Sequence, residues 1–305
     1  MEPNRTVVTI GVFDGVHAGH KSLIARARSI ASDQNASLTV ASFDPHPASV
    51  LRPDTFLGLL TLPQRRAELL KDAGVDRVEY LNFDATLSTM GSATFVEDIL
   101  VTRLGADVIV VGTNFRFGNR AQGDITTLRE LSEKFGYEVI AVDLAGDDAA
   151  WSSTRIRKLI VEGNVSSATE LLGRAHRLSG VIVHGDHRGR ELGYPTANLQ
   201  VDHSLIIPAD GVYSALLGWN GRQLPAAVSI GTNPTFDGVI GRRVEAYVFD
   251  ETDLDLYDQQ INLDFIGFVR TMQKFAGLDE LVTAMANDVA VAREQIADFL
   301  DVQGN

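Results

Sequence analysis

The sequence predicts an α/β domain with a doubly wound parallel sheet, followed by an antiparallel β domain with a C-terminal helix. In the first half, short apolar runs alternate with helical segments, which is typical of strand–helix–strand units. After Gly173, apolar runs follow one another with only Gly, Pro, Asn and Asp turns between them, a pattern that favours a barrel or sandwich. The length of 305 residues leaves room for two domains, each with its own core.

The strands predicted for the first half are runs of β-branched or aromatic residues, as buried parallel strands are. They are Val7–Val12, Leu38–Phe43, Arg77–Asn82, Val108–Gly112 and Tyr137–Val142.

Three helical segments of this half carry capping signals, in which a Ser or Thr N-cap precedes Glu or Gln by three residues and a glycine ends the helix. The predicted N-cap, capping-box partner and final glycine are Thr61, Gln64 and Gly74; Thr127, Glu130 and Gly136; and Ser167, Glu170 and Gly173.

The second half contains five strand-like runs and one late helix, Asp279–Leu300. We place the boundary near residues 173–176 and predict domains 1–174 and 175–305. The predicted strands lie within His176–Gly185, Gly211–Trp219, Leu224–Gly231, Arg243–Asp250 and Gln260–Val269.

Composition excludes several classes of function. The chain has no cysteine, so disulfides, thiolate zinc sites and a cysteine nucleophile are excluded. Its formal net charge is −13, so the chain as a whole lacks the excess of basic residues that a nucleic-acid binder usually has. A solvated acidic surface explains the negative charge. The N-terminus has no signal-peptide pattern, and no apolar run approaches the ~20 residues that span a bilayer, so we predict a cytoplasmic protein without membrane contact.

The stretch GVFDGVHAGH (11–20) lies between the first predicted strand and the first helix. In a doubly wound sheet, backbone N–H groups and a helix dipole face an anion at this position. Gly11, Gly15 and Gly19 permit close backbone approach, and His17 and His20 can donate hydrogen bonds to phosphoryl oxygens. The alternatives are a surface loop with incidental histidines, or a metal pair, which lacks an obvious third ligand nearby.

This turn and three further stretches resemble the N-terminal module of the bifunctional riboflavin kinase/FAD synthetase family, which belongs to the HxGH nucleotidyltransferases. The other stretches are SFDPHP (42–47), VVGTNFRFGNRAQGD (110–124) and SSTRIRKLIVEGNVSSATELLGR (152–174). The resemblance implies a Rossmann-like domain in which the phosphate of FMN attacks the α-phosphorus of ATP and pyrophosphate leaves.

The resemblance also assigns residues, each with a structural alternative. Ser153, Thr154 and Arg157 are either a phosphate clamp or a helix cap with a surface arginine. Asn114 is either a flavin contact or a turn residue, and the function of His46 stays open. In full, His17 and His20 are implied to be catalytic; Gly11, Phe13, Asp14, Gly15, His17, His20, Ser153, Thr154 and Arg157 to bind ATP; and Asn114, Phe115 and Arg116 to bind flavin.

The stretch VIVHGDHRGRELGYPTANL (181–199) combines a strand-like region, a Gly-rich basic loop, a hydroxyl and an amide. Such a loop can wrap a triphosphate with its metal, and Mg²⁺ prefers hard oxygen ligands; a tight hairpin is the alternative. The string GRxLGxPTANL resembles the riboflavin kinase signature, which implies an antiparallel β-barrel kinase. The implied ATP and Mg²⁺ residues are Gly185, Arg190, Gly193, Pro195, Thr196 and Asn198, with Thr196 and Asn198 as metal ligands.

Glu245 lies in a strand-like run where a solvent-facing position is the simplest explanation. The resemblance instead implies the general base that takes the proton from the riboflavin 5′-hydroxyl. Expected ligands are riboflavin, FMN, FAD and ATP with Mg²⁺, the flavins being substrates and products. We expect a monomer or weak homo-oligomer without nucleic acid.

Three rival hypotheses remain: a flavin-binding regulator or store, a nucleic-acid-related transferase, and an enzyme with one active half. The chain also departs from the family pattern at Ala149–Ala150, Ala175, Asp258, Thr271 and Met272.

Overall fold

A computed structural model describes residues 5–143, 151–184, 194–234, 240–251 and 254–303. The chain divides into two compact units, Met1–Ser153 and Thr154–Asn305. This division assigns the two helices before the barrel to the second unit, and the domain boundary after residue 174 stays a prediction.

The first unit is a five-stranded parallel sheet in the order β3-β2-β1-β4-β5 with helices between the strands. This confirms the doubly wound α/β class. Its elements are β1 (Thr6–Ile10), α1 (Ala18–Asp33), β2 (Ser37–Phe43), α2 (Pro47–Leu51), α3 (Pro63–Asp72), β3 (Arg77–Leu81), α4 (Ala85–Thr89), α5 (Ser92–Thr94), a π-helical segment (Phe95–Arg103), β4 (Val108–Gly112), α6 (Ile125–Phe135) and β5 (Glu138–Val142), with short 3₁₀ turns at Pro53–Thr55 and Asn119–Ala121.

Successive residues of each central strand enter different cores, because side chains alternate across a sheet. Val7 packs with Val108 and the buried side of α1 on one face. Val8 packs with Ile109 and the π-helical segment on the other. Both faces are therefore covered, and only the strand ends remain for ligands.

The N-caps predicted for α6 and α8 (Val165–Leu172) are wrong by three residues. The caps are Asp124 and Asn164, and Thr127 and Ser167 lie at the third helical position. Asp124 accepts the backbone N–H of Thr127 at 3.0 Å, and Asn164 accepts that of Ser167 at 3.2 Å. Each helix therefore begins three residues earlier than predicted, and Glu130 and Glu170 lie beyond the N3 position of a capping box.

The predicted helix ends are confirmed where glycine adopts a left-handed conformation. Gly136 (φ 75°) and Gly173 (φ 67°) are C-caps, and Gly74 (φ 93°) follows the C-cap of α3. At the other end of α3, however, the N-cap is Leu62 rather than Thr61, so Gln64 is not a capping-box partner either.

The second unit is a closed antiparallel barrel in the order β10-β7-β6-β11-β8-β9, with a long C-terminal helix. This confirms the predicted barrel. After α7 (Ser153–Val161) and α8, its elements are β6 (His176–Val183), β7 (Thr196–Val201), β8 (Gly211–Trp219), β9 (Arg222–Pro234), β10 (Ile240–Val248), β11 (Gln260–Arg270) and α9 (Leu278–Gln303).

Helix α9 packs on the outside of the barrel, against β8, β9 and β11. Its Ala292 and Ile296 are buried against Leu216 of β8 and Ile266 of β11. Asp258, one of the residues that depart from the family pattern, adopts a left-handed conformation of the kind that glycine favours, with φ 59°. Its N–H donates to the Ile182 carbonyl at 2.9 Å.

Candidate active sites of the two units

The loop from residue 11 to 17 leaves the carboxyl end of β1 and is folded tightly upon itself. Phe13, Gly15 and Val16 have left-handed φ values of 51°, 84° and 40°. The Val16 N–H donates to the Phe13 carbonyl at 3.0 Å, and both side chains are buried. A loop held in such a conformation by packing is not an open surface loop, which argues against incidental histidines.

The structure brings the two predicted histidines into ring contact. His17 is the N-cap residue of α1, and its side chain is buried. Its ring stacks on that of His20 with 3.6 Å between centroids and an angle of 21°, and the Phe13 ring meets His20 edge-on at 5.2 Å. The two imidazoles therefore form one stacked pair at the helix N-terminus, where the dipole favours anions.

Gly19 lies close to the His17 ring, with little room for a side chain. A Cβ atom at Gly19 would lie 3.3 Å from Cε1 and 3.4 Å from Nδ1 of His17, and 3.5 Å from Cβ of Trp151. The glycine between the two histidines of the motif therefore makes room for the first imidazole against the helix start.

Asp14 anchors the loop, a function that the sequence did not reveal. Its carboxylate has no exposed surface and accepts the N–H groups of Leu60 and Thr61 at 2.9 and 3.0 Å and the Thr61 hydroxyl at 3.1 Å. Thr61 Oγ1 in turn accepts the Gly15 N–H at 3.1 Å. Thr61, wrongly predicted as an N-cap, therefore serves the loop instead. Its partners lie 46 and 47 residues away, so no local pattern could have indicated them.

The serine of the clamp stretch contacts the same loop. Ser153 donates its hydroxyl to the Asp14 carbonyl at 2.9 Å. Thr154 and Arg157 follow in the second unit. Arg157 is only 7% exposed, so the alternative of a surface arginine is wrong.

The stretch predicted to bind flavin follows β4, the strand beside β1 in the sheet. The Phe115 N–H donates to the Gly112 carbonyl at 3.0 Å, and the Phe115 ring stacks on that of Phe117 at 5.5 Å. Asn114 and Arg116 are exposed. This stretch and the loop from 11 to 17 thus share the carboxyl edge of the sheet, where ligands bind in this architecture.

His46 has a structural function at the same edge. Its Nδ1 accepts the Ala48 N–H at 3.0 Å and so caps α2, and its ring lies 4.7 Å from that of Phe56.

In the second unit, strand register places the predicted kinase residues together. Glu245 of β10 stands opposite Asn198 of β7 and Ser229 of β9, and Tyr247 stands opposite Thr196. Directly paired residues of antiparallel strands share a face, and so do residues two apart.

The intervening residues fill the barrel interior, where Val244 and Ala246 are buried. The predicted residues Thr196, Asn198 and Glu245 therefore lie on the outer face. Pro195, just before β7, is exposed.

A cavity of about 180 Å³ opens on this outer face. Glu245, Thr196 and Tyr247 line one side, and Met285 and Val289 of α9 line another. The departure Met272 also lines it, and its Sδ lies 3.9 Å from Ser229 Oγ. The cavity is mostly apolar, with the Glu245 carboxylate and the hydroxyls of Thr196 and Tyr247 at the β7–β10 side.

An ion pair fixes the α9 side of the cavity. Arg270, near the end of β11, donates from Nε and Nη2 to the two carboxylate oxygens of Asp288, both at 2.7 Å. Arg270 Nη1 also donates to the carbonyl of Thr271, another departure from the family pattern, at 3.0 Å. The ring of Phe275 lies 5.5 Å from the guanidinium. A bidentate pair of this kind holds the helix at a defined position over the barrel.

Several predicted residues lie outside the described residues: Gly185, Arg190 and Gly193, together with Ala149–Ala150. Within the described ranges, no cluster of three or more His, Cys, Asp or Glu suits a metal ion. The hydroxyl of Thr196 and the amide of Asn198 are hard oxygen donors on one face, and this donor set fits Mg²⁺ with retained waters.

Family models match both halves of the chain. One described as FAD synthetase matches residues 1–155, and one described as riboflavin kinase matches residues 172–296. Three bacterial relatives are named bifunctional riboflavin kinase/FMN adenylyltransferase. The Escherichia coli K12 protein is 34% identical over 290 residues, covering 94% of this chain and 92% of its own. The Pseudomonas fluorescens protein is 36% identical over 288 residues, with the same coverages. The Listeria monocytogenes protein is 32% identical over 297 residues, covering 97% and 94%.

The fold has a similar solved structure. A crystal structure from Streptococcus pneumoniae, described as a macrolide-efflux protein, superposes with a TM-score of 0.86 at 34% identity and covers 96% of this chain and 95% of its own. The description as a macrolide-efflux protein applies to the Streptococcus pneumoniae structure and is not transferred to this chain. In the part of this chain that the structure describes, no helix has the length and hydropathy to cross a bilayer.

Proposed function

The chain belongs to the family of bifunctional riboflavin kinase/FMN adenylyltransferases, and from this premise we propose how its residues perform the two reactions. It phosphorylates riboflavin to FMN with its C-terminal half and transfers an adenylyl group from ATP to FMN with its N-terminal half. The observation that supports the assignment of residues most strongly is the pair of predicted clusters: stacked His17 and His20, and the shared face of Thr196, Asn198 and Glu245.

In the kinase half, Glu245 is the general base. The 5′-hydroxyl of riboflavin is uncharged, so its proton must move as the oxygen attacks the γ-phosphorus of ATP. The proton passes to the Glu245 carboxylate, the bond between the γ-phosphorus and the β,γ-bridging oxygen breaks, and ADP leaves. The position of Glu245 on the wall of the cavity proposed for the flavin supports this function, because a base must lie within reach of the hydroxyl that it deprotonates.

The flavin ring occupies the apolar cavity between β10 and α9. Tyr247, Met272 and Phe275 offer aromatic and thioether surfaces to a flat heterocycle. Thr196 and Asn198 would hold Mg²⁺, and Gly185, Arg190 and Gly193, as predicted from the sequence, would bind the ATP phosphates. When bound, Mg²⁺ neutralises charge on the phosphate oxygens.

In the N-terminal half, an FMN phosphate oxygen attacks the α-phosphorus of ATP, and pyrophosphate leaves with the α,β-bridging oxygen. Both reactants are anions, so catalysis depends on positioning and charge stabilisation. His17 and His20 donate hydrogen bonds to phosphoryl oxygens, and the assignment of Ser153, Thr154 and Arg157 to ATP binding stays a prediction from the sequence. Asn114, Phe115 and Arg116 hold the flavin at the neighbouring strand end, while Asp14 keeps the loop in shape.

The change Gly19→Ala tests the geometry of the histidine pair. The new Cβ would push the His17 ring by a few tenths of an ångström, whereas alanine suits a helix better than glycine. We therefore expect FAD formation from FMN to slow by about 10-fold, with an unchanged melting temperature and an unchanged kinase rate. Steady-state assays of each step and thermal unfolding measure this; a normal rate of FAD formation would contradict it.

A time course with riboflavin, ATP and Mg²⁺, resolved by chromatography, tests the whole proposal. We expect FMN to rise before FAD. FMN without FAD would contradict the first set of residues, and bound flavin without any product would indicate a regulator or store. Tight RNA binding in a low-salt gel shift would favour the nucleic-acid-related transferase.

The cellular and oligomeric predictions rest on the sequence alone. A cytoplasmic monomer or weak homo-oligomer without nucleic-acid or membrane contact stays our prediction, and sedimentation velocity across a range of protein concentrations tests its oligomeric part.

A further inference from the structure

Arg66 of α3 is a charged side chain with no exposed surface, in a part of the first unit where no ligand contact is assigned. Its Nη1 donates to the carbonyl oxygens of Val12 and Phe43, at 3.0 and 3.1 Å, and to Ser42 Oγ at 3.1 Å. The Ser42 hydroxyl itself donates to the Val12 carbonyl at 2.8 Å. A single nitrogen thus gathers three acceptors from two chain segments.

These acceptors mark the ends of two neighbouring strands. Val12 follows β1 and begins the loop that carries the histidine pair. Phe43 is the last residue of β2 and precedes the DPHP stretch. Arg66 therefore joins the start of the histidine loop to the end of the neighbouring strand β2, at the carboxyl edge of the sheet.

Two other nitrogens of the guanidinium lower the stability of the fold, because they are buried without hydrogen bonds to any described residue. Nε and Nη2 of Arg66 are buried and have no hydrogen-bond partner among the described residues. The ring of Tyr80 lies 5.5 Å from the guanidinium carbon. An apolar side chain of similar size is often as stable as a buried, incompletely bonded charge, so stability alone does not account for an arginine here.

Burial raises the pKa of the Tyr80 hydroxyl; Arg66 opposes that rise, and the carboxylates of Asp44 and Asp14 add to it. The charge of Arg66 therefore acts on the neighbouring Tyr80 hydroxyl.

We propose that Arg66 is a positioning residue for adenylyl transfer, which holds the ends of β1 and β2 together. This inference rests on the proposed adenylyltransferase function of the first unit. It concerns the alignment of the histidine loop with the end of β2. It involves no direct contact of Arg66 with substrate.

The test uses two variants of Arg66 and a neighbour in the full-length protein. Arg66→Gln removes the charge and keeps a donor, Arg66→Lys keeps the charge and a donor, and Arg65→Gln is the matched control. Arg65 lies on the same helix, but is partly exposed and pairs with Glu68 at 2.8 Å. Each variant is measured for kcat and KM of FAD formation from FMN, for the kinase rate and for melting temperature.

For Arg66→Gln we expect kcat for FAD formation to fall by about 30-fold or more, because misaligned loops lose transition-state contacts. The kinase rate should stay within about 2-fold, Arg66→Lys should recover kcat to within about 5-fold, and Arg65→Gln should match the parent protein.

Three results would overturn the inference. Arg66→Gln could keep the parental kcat whatever its melting temperature, which would leave Arg66 a purely structural residue. Arg66→Lys could melt normally yet lose kcat as fully as Arg66→Gln, which would exclude an effect of the charge. If the parent protein makes FMN but no FAD, the proposed function of the first unit fails as well, and the two failures are thereby distinguished.

Discussion

Replacing His17 and His20 together by alanine is expected to lower FAD formation from FMN by about 1,000-fold or more, since each donor to a developing phosphoryl charge contributes about 100- to 1,000-fold. Their stacked rings form one unit at the start of α1, so the two single variants should each lose nearly as much as the pair. FMN formation from riboflavin should continue at the parental rate, because none of the predicted kinase residues lies in the first unit.

The control for this experiment is His203→Ala, which removes a fully exposed imidazole from the second unit. It should leave both reactions unchanged. A double variant that is folded but has lost FMN formation too would contradict the division of the reactions between the units. A double variant that still makes FAD at a normal rate would contradict the assignment of the histidines.

The second large effect is expected for Glu245→Gln. The substitution keeps the size of the side chain and removes the ability to take a proton, so FMN formation should fall by about 100- to 10,000-fold. Conversion of added FMN to FAD should be unaffected. Riboflavin binding, measured by quenching of flavin fluorescence, should also be retained, because the apolar walls of the cavity are unchanged.

Glu294→Gln is a matched control on the exposed side of α9. It removes one carboxylate from the same unit without touching the cavity. If Glu245→Gln retains kinase activity, another group must accept the proton. If it abolishes flavin binding as well as turnover, Glu245 contributes to binding rather than to proton transfer.

The architecture of both halves follows from patterns that are local in the sequence. Apolar runs separated by helical segments predicted the parallel sheet, and their replacement by turn residues after Gly173 predicted the antiparallel half. The N-caps failed for a local reason too: Asp124 and Asn164 stand three residues before the Ser or Thr that fits the same signature.

The sequence named the candidate site residues, but it did not indicate the contacts that hold them in place. The histidines could be named because motif and strand–helix context coincide, whereas the tie from Asp14 to Thr61 joins residues far apart in the chain. The burial of Arg66 is harder still to predict from the sequence, since an arginine on an amphipathic helix is normally exposed. Alternation along β10 predicts that Glu245 and Tyr247 share a face, but only the pairing register adds Thr196 and Asn198 to it.

The register of β10 has a consequence for how this half of the chain can change over evolutionary time. Glu245 and Tyr247 lie on the proposed catalytic surface, whereas their neighbours Val244 and Ala246 lie in the packed interior, so mutations of the two kinds are separated by a single residue. Substrate preference can drift at Tyr247 or Ser229 without disturbing the fold, while Val244 and Ala246 keep the scaffold intact. A library confined to the outward positions should therefore yield mostly folded proteins with varied flavin selectivity.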